Sequence, residues 1–119
     1  MTSHNFKNLN VWKKSRELVK EVYLLIAKFP ADERYGLSSQ IKRCSVSIPS
    51  NIAEGSGRSS DLDFCRFLKI SLGSSYELET QVILALDLQL LNEQQFEIVS
   101  KNISEVQKML HGLIKSLGK

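Results

Sequence analysis

The sequence predicts an all-α protein, an up-down-up-down antiparallel four-helix bundle, and three observations carry that prediction. Apolar residues recur at alternating steps of three and four in four separate stretches. Helix-capping residues and helix breakers stand between those stretches, and the connections are short. Steps of three and four gather side chains on one face of a helix, and short connections make consecutive helices antiparallel neighbours. With only two prolines and six glycines in 119 residues, the composition is that of one globular domain rather than a disordered chain.

The first helix is expected from about Leu9 to Lys28, with Val11, Ser15, Leu18, Val22, Leu25 and Phe29 inward, and Pro30 ends it. After a polar connection over Ala31 to Gly36, Leu37, Ile41, Cys44, Ile48 and Ile52 mark the inner face of the second helix. Pro49 has no N–H to donate and its ring crowds the carbonyl four residues back, so a kink or break is expected near Ser47 to Pro49. The hydroxyls of Ser45, Ser47 and Ser50 are candidates to serve the freed backbone groups. Gly55-Ser56-Gly57 closes this helix, with glycine supplying a left-handed residue.

Ser60 is the expected N-cap of the third helix, with Asp63 in the capping-box position, and the helix should run unbroken to about Leu90. It carries two apolar stripes. One contains Phe64, Leu68, Ser71, Ser75, Leu78, Val82 and Ala85; the other contains Cys65, Leu72, Tyr76, Ile83, Leu86 and Leu90. Small residues at Gly73-Ser74-Ser75 suggest the close approach of another helix. Asn92 and Gln95 cap the fourth helix, whose seam runs Phe96, Val99, Ile103, Val106, Leu110, Leu113 and Leu117. Gly112 within it suggests a second close contact.

Residues 1–8 read as a polar N-terminal arm and residues 9–117 as a single bundle domain. The arm lacks the apolar core of a signal peptide, and no apolar run approaches the ~20 residues of a membrane span, so a cytoplasmic protein is expected. In that reducing setting Cys44 and Cys65 are expected as buried thiols.

The net charge of +3 is unevenly spread: residues 1–69 hold twelve Lys/Arg against seven Asp/Glu, residues 70–100 hold none against five, and residues 101–119 hold four against one. An up-down bundle brings the starts of helices one and three and the ends of helices two and four together, making one end basic. The opposite end collects Asp32, Glu33, Asp87, Glu93 and Glu97, with Lys28 and Arg34 against them. Lys13, Arg16, Arg43, Arg58, Arg66 and Lys69 are the candidate contacts for nucleic-acid phosphates. Apolar residues in excess of one inward face, namely Trp12, Tyr23, Leu72, Tyr76 and Ile83, point to subunit contacts in a homo-oligomer.

No catalytic or metal-binding pattern emerges. The histidines, His4 and His111, have no ligand-spaced partners, and Lys108 stands where a di-iron bundle would need a glutamate three residues before the histidine. No Gly-x-Ser-x-Gly elbow is present, and Gly55 to Ser60 reads as a turn before an anion cradle. Glu54, four residues before Arg58, reads as its ion-pair partner. The expectation is a non-enzyme with no cofactor, no metal, no membrane span and no small-molecule substrate.

The segment Ser47-Ile48-Pro49-Ser50-Asn51-Ile52-Ala53-Glu54-Gly55, preceded by Phe6-Lys7-Asn8-Leu9-Asn10-Val11-Trp12, resembles the 23S ribosomal RNA intervening-sequence proteins. Phe29-Pro30, Tyr35-Gly36-Leu37, Gln40 to Arg43, Phe64 to Leu68 and Gly73 to Glu79 extend the resemblance over nearly the whole chain, with Asn51, Ile52, Ala53, Glu54 and Gly55 as its motif. It implies a bacterial four-helix bundle assembled as a homopentamer. A related branch, the accessory variability determinant of diversity-generating retroelements, implies a basic pentameric barrel that binds nucleic acid and a reverse transcriptase. Two functional expectations follow: an oligomeric scaffold contacting RNA or a ribonucleoprotein through its basic end, or a protein–protein interaction module with no nucleic acid.

Overall fold

A computed structural model of the chain describes residues 5–33 and 36–118. His4, Arg34, Tyr35 and Lys119 therefore lie outside the described residues. Among those described, four α-helices follow one another: α1 (Asn10–Ile26), α2 (Leu37–Ser56), α3 (Asp61–Asp87) and α4 (Glu93–Ser116). Each packs on two neighbours in the cycle α1, α2, α3, α4 and back to α1, as an antiparallel four-helix bundle requires. The molecule measures 47 × 23 × 20 Å, about the length of α3 by two helix diameters. In the arm, Phe6–Asn8 forms a 3₁₀ turn, capped by Asn5 and packed on α1 and α2.

The predicted stripes form the core. Every residue of the main α3 stripe is buried, as are Val11, Ser15, Leu18 and Val22 of α1 and Ile41, Cys44, Ile48 and Ile52 of α2. Core serines return their hydroxyls to backbone carbonyls: Ser15 to Trp12 (2.9 Å), Ser45 to Lys42 (2.8 Å), Ser75 to Leu72 (2.6 Å). A buried serine so satisfied acts as a small residue in the packing. On α4 the seam drifts: Ile114 is buried while Leu113 and Leu117 are half-covered, because a straight helix turns about 20° per heptad away from a strict seven-residue repeat.

Helix ends correct several expectations. The break weighed at Pro49 does not occur, since α2 runs through the proline to Ser56. Nor do the expected serines serve the freed groups there. Ser45 bonds to Lys42, and Ser47 bonds across to Ser74 of α3 at 2.8 Å. The carbonyl that Pro49 leaves without its helical donor is that of Ser45, while Asn51 Nδ2 and Ser71 Oγ donate to the carbonyls of Ser47 (2.8 Å) and Ile48 (2.9 Å) just ahead of the proline. Gly57 closes α2 in a right-handed conformation, φ −86°, rather than the expected left-handed one. Ser60 Oγ accepts from the Asp63 N–H at 3.1 Å as expected, but the Asp63 carboxylate turns to Arg66.

α3 stops at Asp87, short of the expected Leu90. Gln89 adopts φ 60°, the Leu90 N–H bonds to Ala85 O and the Gln89 N–H to Leu86 O, both at 2.9 Å. This is a Schellman closure with glutamine where glycine is usual. Asn92 and Gln95 then complete the predicted capping box of α4.

The close helix contact lies at Gly55. A Cβ there would stand 2.6 Å from Phe67 Cβ and 3.0 Å from a ring carbon of Phe64, so α2 and α3 approach as they do only because this residue has no side chain. Gly73 and Gly112, where close contacts were expected, face open space, and the small residues of α3 that meet α2 are Ser71 and Ser74.

Gly55→Ala is therefore expected to destabilise the fold by about 1–3 kcal/mol through overpacking. Gly73→Ala, unobstructed on an exposed helix face, should stabilise it by about 0.5–1 kcal/mol. Urea unfolding of the two variants checks the opposite signs. Gln89→Gly should raise the melting temperature by relieving a left-handed residue worth about 1–2 kcal/mol; a lowered melting temperature would contradict the closure described.

Candidate nucleic-acid interface

At the basic end the decisive question is which cations already have partners. Among the described residues three ion pairs form: Lys14 with Glu105 at 3.1 Å, Arg58 with Glu54 at 2.9 Å, and Arg66 with Asp63 at 3.2 Å. Two of the candidate phosphate contacts, Arg58 and Arg66, thus lie against carboxylates one helical turn away. Arg58 also stacks on Phe67, 4.6 Å from the ring centroid. These are exposed pairs of small energetic value, yet a phosphate approaching either arginine meets a carboxylate first.

The α1 cations differ. Lys13, Arg16 and Lys20 recur at steps of three and four, which puts them along one outer face, and with Lys7 and Trp12 they line a shallow groove whose one acid is Glu17. None of these four cations belongs to an ion pair among the described residues. Arg16 lies 5.5 Å from the Trp12 ring centroid, Phe6 meets Trp12 edge-on at 5.1 Å, and Lys7 Nζ stands 6.0 Å from the Phe6 ring. The 3₁₀ turn at Phe6–Asn8 thereby folds Lys7 and an aromatic pair onto the first turn of α1.

The other two candidates stand apart. Lys69 is exposed on α3. Arg43 lies in the first half of α2, nearer the acidic end, where it shares a cleft with Glu77 of α3. Sequence position ranked these six cations alike; pairing and placement separate Lys13 and Arg16 from the rest.

The predicted interface residues also divide. Trp12 and Leu72 pack, partly buried, on the chain's own core. Tyr23, Tyr76 and Ile83 are exposed by 42%, 47% and 42%. Lys42 Nζ lies 5.3 Å over the Tyr23 ring, and the Tyr76 hydroxyl meets His111 Nε2 at 3.1 Å. The sequence reading missed Leu24 and Ile98, exposed by 61% and 53% and facing one groove between α1 and α4. A lone apolar residue on a polar face leaves no periodic signal until the helices are paired.

The motif residues have structural roles. Asn51 bonds to Ser47 O and Ser47 Oγ, Ile52 is fully buried, Ala53 O accepts from Ser56 Oγ, Glu54 holds Arg58, and Gly55 admits Phe67. Cys44 and Cys65 are buried free thiols, and burial foremost, reinforced by the nearby Glu77 carboxylate, pushes the Cys44 thiol up to about 12. Among the described residues no helix is long and apolar enough to cross a membrane, and no three His, Cys, Asp or Glu side chains converge as a metal set would.

Fold and surface define an all-α four-helix-bundle protein with a cationic, aromatic-lined face on its first helix. The chain belongs to the 23S rRNA-intervening sequence protein family, whose model matches residues 7–112. It is similar to a protein of unknown function from the S23 ribosomal protein family of Bacteroides thetaiotaomicron, with 31% identity and a TM-score of 0.81 over 88% of this chain and 98% of that chain. No curated protein matches it.

The raised thiol has a pH consequence. A thiol that stays protonated to about 12 when folded, against 9.0 when free, makes the folded state bind more protons across that interval. Its contribution is intact below about 9 and is lost as pH rises toward 12. Cys44→Ala should accordingly flatten the fall in stability between those pH values, measured by urea unfolding of variant and parent at each pH.

Proposed function

We propose that the protein is a non-enzymatic, oligomeric helical scaffold of the cytoplasm that contacts RNA or a ribonucleoprotein through the outer face of α1. The observation that carries this reading is the row Lys7, Lys13, Arg16 and Lys20, in no ion pair among the described residues and set around Trp12, while Lys14, Arg58 and Arg66 are matched by carboxylates. Cations held in no ion pair release condensed counterions when they meet a phosphate backbone. The family's name ties its members to insertions in 23S ribosomal RNA, which makes structured ribosomal RNA the first ligand to try.

Self-association is part of the proposal. Tyr23, Tyr76 and Ile83 leave more apolar surface in water than a single inward face requires, and the family resemblance implies a pentamer. A second reading, a protein–protein interaction module without nucleic acid, is favoured by the Leu24 and Ile98 groove between α1 and α4. No cofactor or metal enters either reading.

Light-scattering chromatography with a structured ribosomal RNA fragment, at low and physiological salt, tests the proposal. The expected result is an oligomer that shifts with RNA and releases it as salt rises. Lys13→Glu and Arg16→Glu should each weaken binding and lower the salt slope by about one, whereas Arg58→Glu should change it less. An oligomer indifferent to RNA at both salts would reject the RNA reading in favour of the interaction module.

A further inference from the structure

Between α2 and α3 lies a cleft of about 390 Å³, within the range of small-molecule sites, roughly 300–1,000 Å³. Its walls are Gln40, Arg43, Cys44 and Ser47 of α2 and Ser74 and Glu77 of α3. Positions 40, 43, 44 and 47 share one helix face, as do 74 and 77, so each helix turns a polar strip toward the same space. The Ser47 and Ser74 hydroxyls join across it at 2.8 Å.

Two observations bear on what this cleft could hold. Arg43 and Glu77 bring opposite charges to opposite walls, yet neither belongs to an ion pair among the described residues. Outside the cleft's own lining but one turn beyond Glu77 on α3, Gln81 is only 6% exposed and its Oε1 has no hydrogen-bond partner among the described residues. A buried acceptor left open in this way calls for a donor from a water or a ligand.

We propose that this cleft binds a small zwitterion of the free amino-acid class, with Arg43 receiving the carboxylate and Glu77 the ammonium. A simple anion would gain Arg43 but face Glu77, and a simple cation the reverse. A neutral molecule would desolvate both charges without answering either. A molecule bearing both groups a few bonds apart satisfies the two walls together, and the planar guanidinium suits a carboxylate through paired hydrogen bonds. Gln40, Ser47 and Ser74 offer further donors and acceptors to the ligand's polar atoms. The Cys44 thiol, held protonated, is a neutral wall rather than a nucleophile. The site is thus one for recognition without chemistry, and it is independent of the RNA contact proposed on α1.

The test is saturation-transfer NMR of the full chain against each of the twenty free L-amino acids, followed by calorimetry on those that respond. At least one should bind, and its N-acetyl derivative and its methyl ester, each lacking one of the two charges, should bind about tenfold more weakly or worse. Arg43→Ala and Glu77→Ala should produce similar losses, Arg43→Lys a smaller one, and Lys101→Ala, on the exposed face of α4, none. Should a variant fail to fold, the charge-blocked ligands on the parent protein still decide the matter. Absence of binding tighter than about 10 mM for all twenty would overturn the proposal. So would binding that both blocked derivatives or both alanine variants retain.

Discussion

The close approach of α2 to α3 is the constraint on which the rest of the bundle depends. Gly55 allows it at one end by leaving room for Phe67 and Phe64. In the middle, Ser71 donates to Ile48 O and Ser47 meets Ser74, so small hydroxyl residues replace bulky ones where the backbones are near. Pro49 sits in this joint, where Asn51 and Ser71 add side-chain hydrogen bonds to the carbonyls of Ser47 and Ile48. The other helices attach through longer side chains: Asn102 to Glu21 at 2.9 Å, Gln107 to Glu79 at 3.0 Å, and Lys14 to Glu105. A tight pair fixes the geometry, and polar clasps hold α4 against α1 and α3.

That division shapes the electrostatics. Arg66 finds Asp63 three residues back on α3, and Arg58, in the connection between α2 and α3, finds Glu54 four residues back at the end of α2, so both pairs are local in sequence. On α1, Arg16 and Lys20 are like charges at a spacing of four, which costs a helix a few tenths of a kcal/mol. The helix keeps them on its outer face, where its own core stripe of Val11, Ser15, Leu18 and Val22 is not disturbed. Ion pairing among the described residues does not account for that row, which sets it apart from the paired arginines.

Most of the fold was legible because it rests on periodicity: the stripe from Phe64 to Ala85 is buried at every predicted position. The errors occur where one residue's meaning depends on a neighbour in space. Gly55 and Gly57 look alike in sequence, but only the fold reveals that Phe67 abuts the first. Gln89 closes α3 in a conformation for which sequence supplies no glycine signal. The pairing of Arg58 with Glu54 was legible from their spacing, but that of Arg66 with Asp63, read instead as a capping residue, was not, and the six cations ranked alike. Arg43 and Glu77 share a cleft although they are far apart in the chain, a juxtaposition no local pattern could announce.

The family motif supports the same distinction between what builds the protein and what it does. Asn51, Ile52, Ala53, Glu54 and Gly55 respectively tie down a proline-containing turn, fill the core, accept a serine hydroxyl, pair with Arg58 and admit α3. Each role is intramolecular and would be needed by any member of the fold that joins α2 to α3 in this way. A match to the motif therefore identifies a way of packing two helices, while recognition of a partner must rest on side chains that packing leaves unused. On this chain the two surfaces proposed for recognition, the α1 cations around Trp12 and the opposed charges of Arg43 and Glu77, both lie outside the motif.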